Sequence, residues 1–246
     1  MKIGNILVNT AYLGNEVLTA IAVGATKLWE AVKYIVFKDP VVAKICAENW
    51  GDGVGITPEQ AAAVTNIGTV FKDNTEITSF DELKLFGLSE ATQSFYGCTN
   101  LTSVTLPENL KKIGGYTFYK CPITTINIPE NLTEIHTAAF NMSVSSVRNI
   151  HLKNIENWMR VKIGEQASFF HGAAETHIYE NDNLITEIQI PSDVIDVQYA
   201  VLNNAIDLQT LTLHEGIKSI SHNAFAGCSS LELGDINLPN LESIGN

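Results

Sequence analysis

Positive charge is scarce in this chain: 15 Lys and Arg stand against 27 Asp and Glu, for a formal net charge of −12. Nucleic acids and anionic membrane surfaces are both held by clustered Lys and Arg, so neither partner suits the composition. The small basic excess lies in residues 1–38, where Lys2, Lys27, Lys33 and Lys38 outnumber Glu16 and Glu30, leaving −14 for the remainder. Cysteine is also sparse. Cys46, Cys98, Cys121 and Cys228 show no C-x-x-C or Cys/His metal spacing, which excludes a zinc module and argues against a disulfide framework. Apolar runs of the ~18 residues needed for a membrane helix do not occur. Val17–Ala25 ends in small residues, but Asn5, Asn9, Asn15 and Glu16 spoil it as an export leader. Catalytic signatures are missing too: no G-x-S-x-G, no phosphate-binding loop, no H-E-x-x-H, and six histidines scattered at 136, 151, 171, 177, 214 and 222. The expectation is a non-enzyme without metal or cofactor.

What the chain does have is periodicity. Phe95-Tyr-Gly-Cys98, Leu101-Thr-Ser-Val104-Thr-Leu106-Pro107 and Leu110-Lys-Lys-Ile113-Gly form a phrase. It returns as Phe118-Tyr-Lys-Cys121, Ile126-Asn-Ile128-Pro129, Leu132-Thr-Glu-Ile135 and Ala139-Phe140. A third round reads Leu211-Thr-Leu213, Ile217-Lys-Ser-Ile220, Ala224-Phe225-Ala-Gly-Cys228 and Ile236-Asn-Leu238-Pro239. Phe95 to Phe118 is 23 residues and Pro107 to Pro129 is 22, the period of a solenoid whose coils stack on their neighbours. Val104 and Leu106 alternate with Ser103 and Thr105, which predicts a short strand with one buried face. Pro107 ends it, having no N–H for a ladder. Leu110 and Ile113 turn inward again, and Phe118 and Cys121 close the coil, the thiol packing as a small apolar group.

This phrase resembles the BspA-like (treponemal-type) leucine-rich repeat, roughly L-x-x-V-x-[LI]-P-x-x-[LV]-x-x-I-G-x-x-A-F-x-x-C, over about residues 88–246. A longer variant coil fits around Ile155-Glu-Asn-Trp158, Val161-Lys-Ile163-Gly, His177-Ile-Tyr179 and Ile188-Gln-Ile190-Pro191. Departures are visible: Tyr199-Ala-Val-Leu202 replaces Ala-Phe, and no Cys follows Phe140 at the expected place. The resemblance implies a leucine-rich-repeat solenoid of short parallel strands and irregular coils. Its bacterial surface members are exported adhesins. The sequence reaches Leu241-Glu-Ser-Ile244-Gly245-Asn246 halfway through a coil, so the solenoid is expected to continue beyond residue 246.

Residues 1–38 carry a different repeat. Gly4, Gly14 and Gly24 are ten apart, each after Ile3, Leu13 or Val23, and the runs between them read as strands of a meander or set of hairpins. Such a module is marginal alone. Its apolar residues Leu13, Ile21, Val23, Leu28 and Trp29 either pack on the solenoid as a cap or anchor the chain to another subunit. The segment Ala11–Glu30 resembles the start of phage tail and baseplate-associated proteins, which implies docking on other virion proteins in a homo-oligomeric assembly.

Residues 39–87 read as a helical linker and N-terminal cap. Asp39-Pro40 predicts a helix start, and Thr57-Pro-Glu-Gln60 a capping box with a helix over Pro58–Val64. Ser79-Phe-Asp-Glu82 predicts a second such start. Asn49-Trp-Gly-Asp-Gly-Val-Gly suggests a calcium loop, but only Asn49 is in register and the bidentate Glu is gone, leaving a degenerate, metal-free version.

With no chemistry in view, function falls to surface. The outward strand positions are Ser103, Thr105, Thr125, Asn127, Asn149, His151, Glu187, Gln189, Thr210 and Thr212. Stacked, they form a hydroxyl- and amide-rich face suited to a glycan or a peptide backbone; alternatively, small polar residues merely tolerate strand geometry. The expectation is a phage virion protein, tail- or baseplate-associated, whose repeats bind a host surface protein or glycan. The alternative is a bacterial cell-surface or secreted adhesin of the BspA-like class.

Overall fold

A computed structural model describes the backbone of residues 2–3, 6–13, 16–23, 26–28, 33–140, 147–164, 175–232, 234 and 236–245, with side chains from residue 33 onward. At the N-terminus, β1 (Lys2–Ile3), β2 (Ile6–Leu13), β3 (Glu16–Val23) and β4 (Thr26–Leu28) form an antiparallel meander in sequence order. The long pair runs in register from Ile6 opposite Val23 to Leu13 opposite Glu16. This is the small β-module expected from the ten-residue repeat. Leu13 lies on β2, Ile21 and Val23 on β3 and Leu28 on β4. Gly4, Gly14, Gly24 and Trp29 lie outside the described residues.

The cap follows. Helix α1 spans Pro40–Trp50 and α2 Pro58–Ala63, the latter opened by the full reciprocal capping box of Thr57 and Gln60. Asp39 does two jobs with one carboxylate. It accepts from Val41 N and Val42 N to cap α1, and from Thr78 N, Thr78 Oγ1 and Ser79 N to hold the first solenoid strand. Burial raises its pKa, but these hydrogen bonds outweigh burial and the net shift is downward. α1 buries Val42, Cys46 and Ala47, and Trp50 lies against Phe71 and Phe86, closing the apolar end of the stack. One expectation is corrected here. Ser79 caps no helix: it is a buried strand residue, and the 3-10 helix Asp81–Leu85 has no side-chain cap. In the calcium-like segment, Asn49 is helical and donates to Ile45 O, while Asp52 accepts from Val54 N, Gly55 N and Tyr34 OH.

Each coil of the solenoid contributes two short strands. They are β5 (Ser79–Phe80) and β6 (Glu90–Ala91), β7 (Ser103–Val104) and β8 (Lys112–Ile113), β9 (Thr125–Asn127) and β10 (Glu134–Ile135). The variant coil adds β11 (Asn149–Leu152), α3 (Ile155–Met159) and β12 (Lys162–Ile163), then the hairpin β13 (His177–Glu180) and β14 (Asn183–Leu184). After it come β15 (Glu187–Gln189), β16 (Asp196–Val197), β17 (Thr210–Thr212), β18 (Ser219–Ile220) and β19 (Ser243–Ile244). The first strands stack in parallel as β5–β7, β9–β11–β13 and β15–β17; the second strands as β6–β8–β10–β12 and β16–β18–β19. Both ladders break where the hairpin intervenes, and the first also breaks between β7 and β9. The second ladder was not read from the sequence, and it relocates Glu134 from an inter-coil turn to a strand. There its carboxylate lies 3.2 Å from Lys112 and 3.1 Å from His136.

The core is a column of rings. Phe71, Phe95, Phe118 and Phe140 stack at centroid distances of 5.5, 5.4 and 5.0 Å. Parallel strands lie about 4.7–4.9 Å apart, close to the separation of offset-stacked rings, so one Phe per coil in register stacks without strain. Phe71 occupies the first position of this column, so the repeat register begins ahead of residue 88. Leu202 fills the ring position where Ala-Phe is replaced, fully buried. Cysteine does more than fill space. Cys98 Sγ donates to Phe71 O, Cys121 Sγ to Phe95 O and Cys228 Sγ to Leu202 O, at 2.9–3.1 Å. Each thiol therefore ties its coil to the one before.

The coils also turn through left-handed backbone beside the ring position. Two residues before it stand Gln93, Tyr116, Ala138, Ala200 and Asn223; two after it stand Asp73, Gly97, Lys120, Asn204 and Gly227, all with φ between 49° and 76°. That geometry aims N–H groups along the stack, as in Gly97 N to Tyr119 O at 2.8 Å and Asn204 N to Ala226 O at 2.7 Å. The variant coil is joined to the block after the hairpin by Trp158, whose Nε1 donates to Val201 O at 3.0 Å.

Candidate functional site

The strand face carries the outward residues singled out above, because the inward set Val104, Ile126, Ile150, Ile178, Ile188 and Leu211 is buried. The structure distributes them over three sheets. Ser103, on β7, bonds Asp81 and is half-buried. Asn149 donates to Thr125 Oγ1 at 3.3 Å across β9 and β11. Glu187, Gln189, Thr210 and Thr212 form a separate exposed set on β15 and β17.

Thr105, Asn127 and His151 come together. They line an open concavity of about 310 Å³ together with Glu108, Lys153, Asn181 and Asp182. The variant coil builds its wall. Asn181 and Asp182 both have positive φ, 48° and 63°, the geometry of a tight hairpin turn that follows the right-handed twist of its strands. The turn brings Asp182 Oδ1 to 3.1 Å from His151 Nδ1, and Tyr179 stacks its ring on His151 at 4.7 Å with an interplanar angle of 13°. His151 is thereby held in one orientation by a carboxylate and an aromatic face. Lys153 Nζ reaches Glu108 Oε1 at 2.5 Å, spanning two coils, and its pKa is raised chiefly by that hydrogen bond.

The groove thus offers a hydroxyl, an amide, an imidazole, a carboxylate pair and an ammonium, all positioned for hydrogen bonding. No side chain here is paired as nucleophile and base. Among the described residues, no group of three or more His, Cys, Asp or Glu is arranged to hold a metal ion. Sequence reasoning missed Tyr179, Asp182, Glu108 and Lys153. The signal for the first two was the Asn181-Asp-Asn183 run, a turn composition inside an otherwise strand-like stretch. The outward-reaching pair gave none.

Parallel two-strand coils, a stacked ring column and a polar groove on the strand side define a leucine-rich-repeat solenoid. The chain belongs to the BspA type leucine rich repeat family, whose repeat region matches residues 64–169 and 174–246 in six copies. Two solved structures are similar to it. One is a leucine-rich repeat protein from Bacteroides ovatus, 15% identical, covering 100% of this chain and 90% of that one with a TM-score of 0.27. The other is a leucine rich cell surface protein from Faecalibacterium prausnitzii, 15% identical, covering 100% and 94% with a TM-score of 0.24. No curated protein matches the chain. Among the described residues, no helix is long and apolar enough to cross a membrane.

Proposed function

We propose that this is a non-enzymatic ligand-binding protein displayed on a bacterial cell surface. Its groove at Thr105, Asn127 and His151 takes a neutral, hydrogen-bonding ligand such as a glycan or an exposed peptide backbone. One observation carries the reading: the groove's imidazole is pre-oriented by Asp182 and Tyr179, which lowers the entropy lost when a ligand binds. Membership of the BspA type leucine rich repeat family supports the location, since the resemblance implies bacterial surface members. The binding test is a glycan and peptide array probed with the full chain and with Asn127→Ala and His151→Ala. Losing one hydrogen bond in a binding site weakens affinity by about tenfold. The groove is not the site if Thr212→Ala, on the separate set, weakens binding as much as the groove variants do.

A second reading rests on the antiparallel meander, none of whose strands pairs with a solenoid strand among the described residues. A module of that kind suits docking to another subunit, as in a phage tail or baseplate particle. Protease treatment of intact producing cells separates the two. Peptides released from residues 33–245 support the surface reading. Recovery solely in sedimenting phage particles favours the virion, and recovery solely in the cytosol sinks both.

A further inference from the structure

The turn side of the solenoid carries a feature the groove does not use. Tyr96 and Tyr119, each following a core Phe, stack outside the coil at 5.0 Å with an interplanar angle of 16°. Tyr116 meets Tyr119 edge-on at 5.6 Å and is 44% exposed. Lys72 Nζ lies 5.0 Å from the Tyr96 ring centroid and Lys120 Nζ 5.8 Å from that of Tyr119, both within cation–π range. Three rings are therefore bracketed by two ammonium groups, on a chain whose net charge is −12.

Folding does not account for these residues. The left-handed positions favour Gly, Asn or Asp, found at Asp73, Gly97, Asn204, Asn223 and Gly227, while Gln93, Ala138 and Ala200 fill others with smaller or unbranched side chains. In the coil closed by Phe118 they hold Tyr116 and Lys120, at φ 59° and 66°. Large side chains are disfavoured there, and neither enters the core. Among the described residues, the ammonium groups of Lys72 and Lys120 face rings, and no carboxylate forms an ion pair with either. The nearby acid, Asp73, lies against Gly97 instead. Their charge remains available to an anion.

We propose that Tyr96, Tyr116, Tyr119, Lys72 and Lys120 form a second binding site, for a carboxylate-bearing sugar of an acidic polysaccharide. The apolar C–H face of the sugar ring packs on the open Tyr116 ring, and its carboxylate pairs with the lysines. The full chain is titrated calorimetrically with polygalacturonate oligomers, a neutral glucan of equal length and polyglutamate. Polygalacturonate binds; the other two bind at least about tenfold more weakly, since each lacks one of the two interactions. Tyr116→Asn and Lys120→Gly each weaken polygalacturonate binding by about tenfold while Tm stays level or rises, because Asn and Gly fit left-handed backbone. His151→Ala, in the groove, leaves this binding unchanged. The proposal is overturned if wild type does not bind polygalacturonate, if polyglutamate or the glucan binds equally well, or if both variants bind like wild type. Lost binding together with a lowered Tm also overturns it, by assigning the two side chains to packing.

Discussion

Gly97→Ala isolates how the coils register on one another. A Cβ built at Gly97 would stand 2.1 Å from Asp73 Oδ1 and 3.3 Å from Asp73 Cα, and the residue sits at φ +76°. Two costs follow. Left-handed backbone costs a residue with a Cβ about 1–2 kcal/mol. Displacing the Asp73 carboxylate, which belongs to the preceding coil, adds roughly 1–2 kcal/mol of overpacking. The total is about 2–4 kcal/mol, or a Tm lower by roughly 5–15 °C for a chain of this size. Asp73→Gly separates the terms: it removes the obstructing carboxylate and suits Asp73's own φ of 58°. The double variant should retain only the backbone cost, giving an interaction energy of about 1–2 kcal/mol. Thermal and urea unfolding measure the total. Because stacked repeats unfold unevenly, hydrogen exchange over residues 93–121 supplies the local readout. If Gly97→Ala melts within about 1 °C of wild type, or Asp73→Gly restores nothing, the reasoning fails. Gly227 against Asn204, where an added Cβ would stand 1.9 Å from Asn204 Oδ1, is the same device in the later block and should respond the same way.

Three further expectations concern other joints. Burial, with a smaller contribution from Glu82, pushes the Cys46 thiol up to about 12, and the hydrogen bond with Cys98 together with burial pushes Cys121 up as well. At pH 8, a disulfide reagent should therefore label half-buried Cys228 first, and labelling of Cys121 at the same rate in folded protein would contradict the thiol ladder. Asp39 has a lowered pKa, so its stabilisation is complete above the ordinary carboxylate range and is lost as pH falls through the lowered value. Asp39→Asn should cost about 1–3 kcal/mol at pH 7 and converge with wild type in acid; a gap that stays constant with pH refutes this. Trp158→Phe removes the donor to Val201 O and should cost about 1–2 kcal/mol, with faster hydrogen exchange over residues 194–202. Unchanged exchange there would show that the two blocks are joined by other contacts.

Much of the fold was legible because its cause is local and repeats. Val104, Ile126 and Leu211 recur with polar neighbours on both sides, and that pattern alone buries one face of a strand. Thr57 and Gln60 announced their capping box through spacing. Ser79 misled for the complementary reason: Ser-x-x-Glu is a helix start only where the chain is free to turn, and pairing with β7 kept Ser79 extended. The second ladder went unread because two residues per coil, as in Lys112–Ile113, are too short to show an alternation.

The sequence by itself determined the period, the inward residues and the recurring ring, since burial of apolar surface every 22 or 23 residues admits few other solutions. Tertiary structure alone decided what the coils present outward. His151 meets Asp182 from 31 residues away, and Lys153 meets Glu108 from 45, because stacking brings together residues that chain order separates. Polar side chains at the surface are set by which neighbour a coil happens to receive, and no local propensity encodes that.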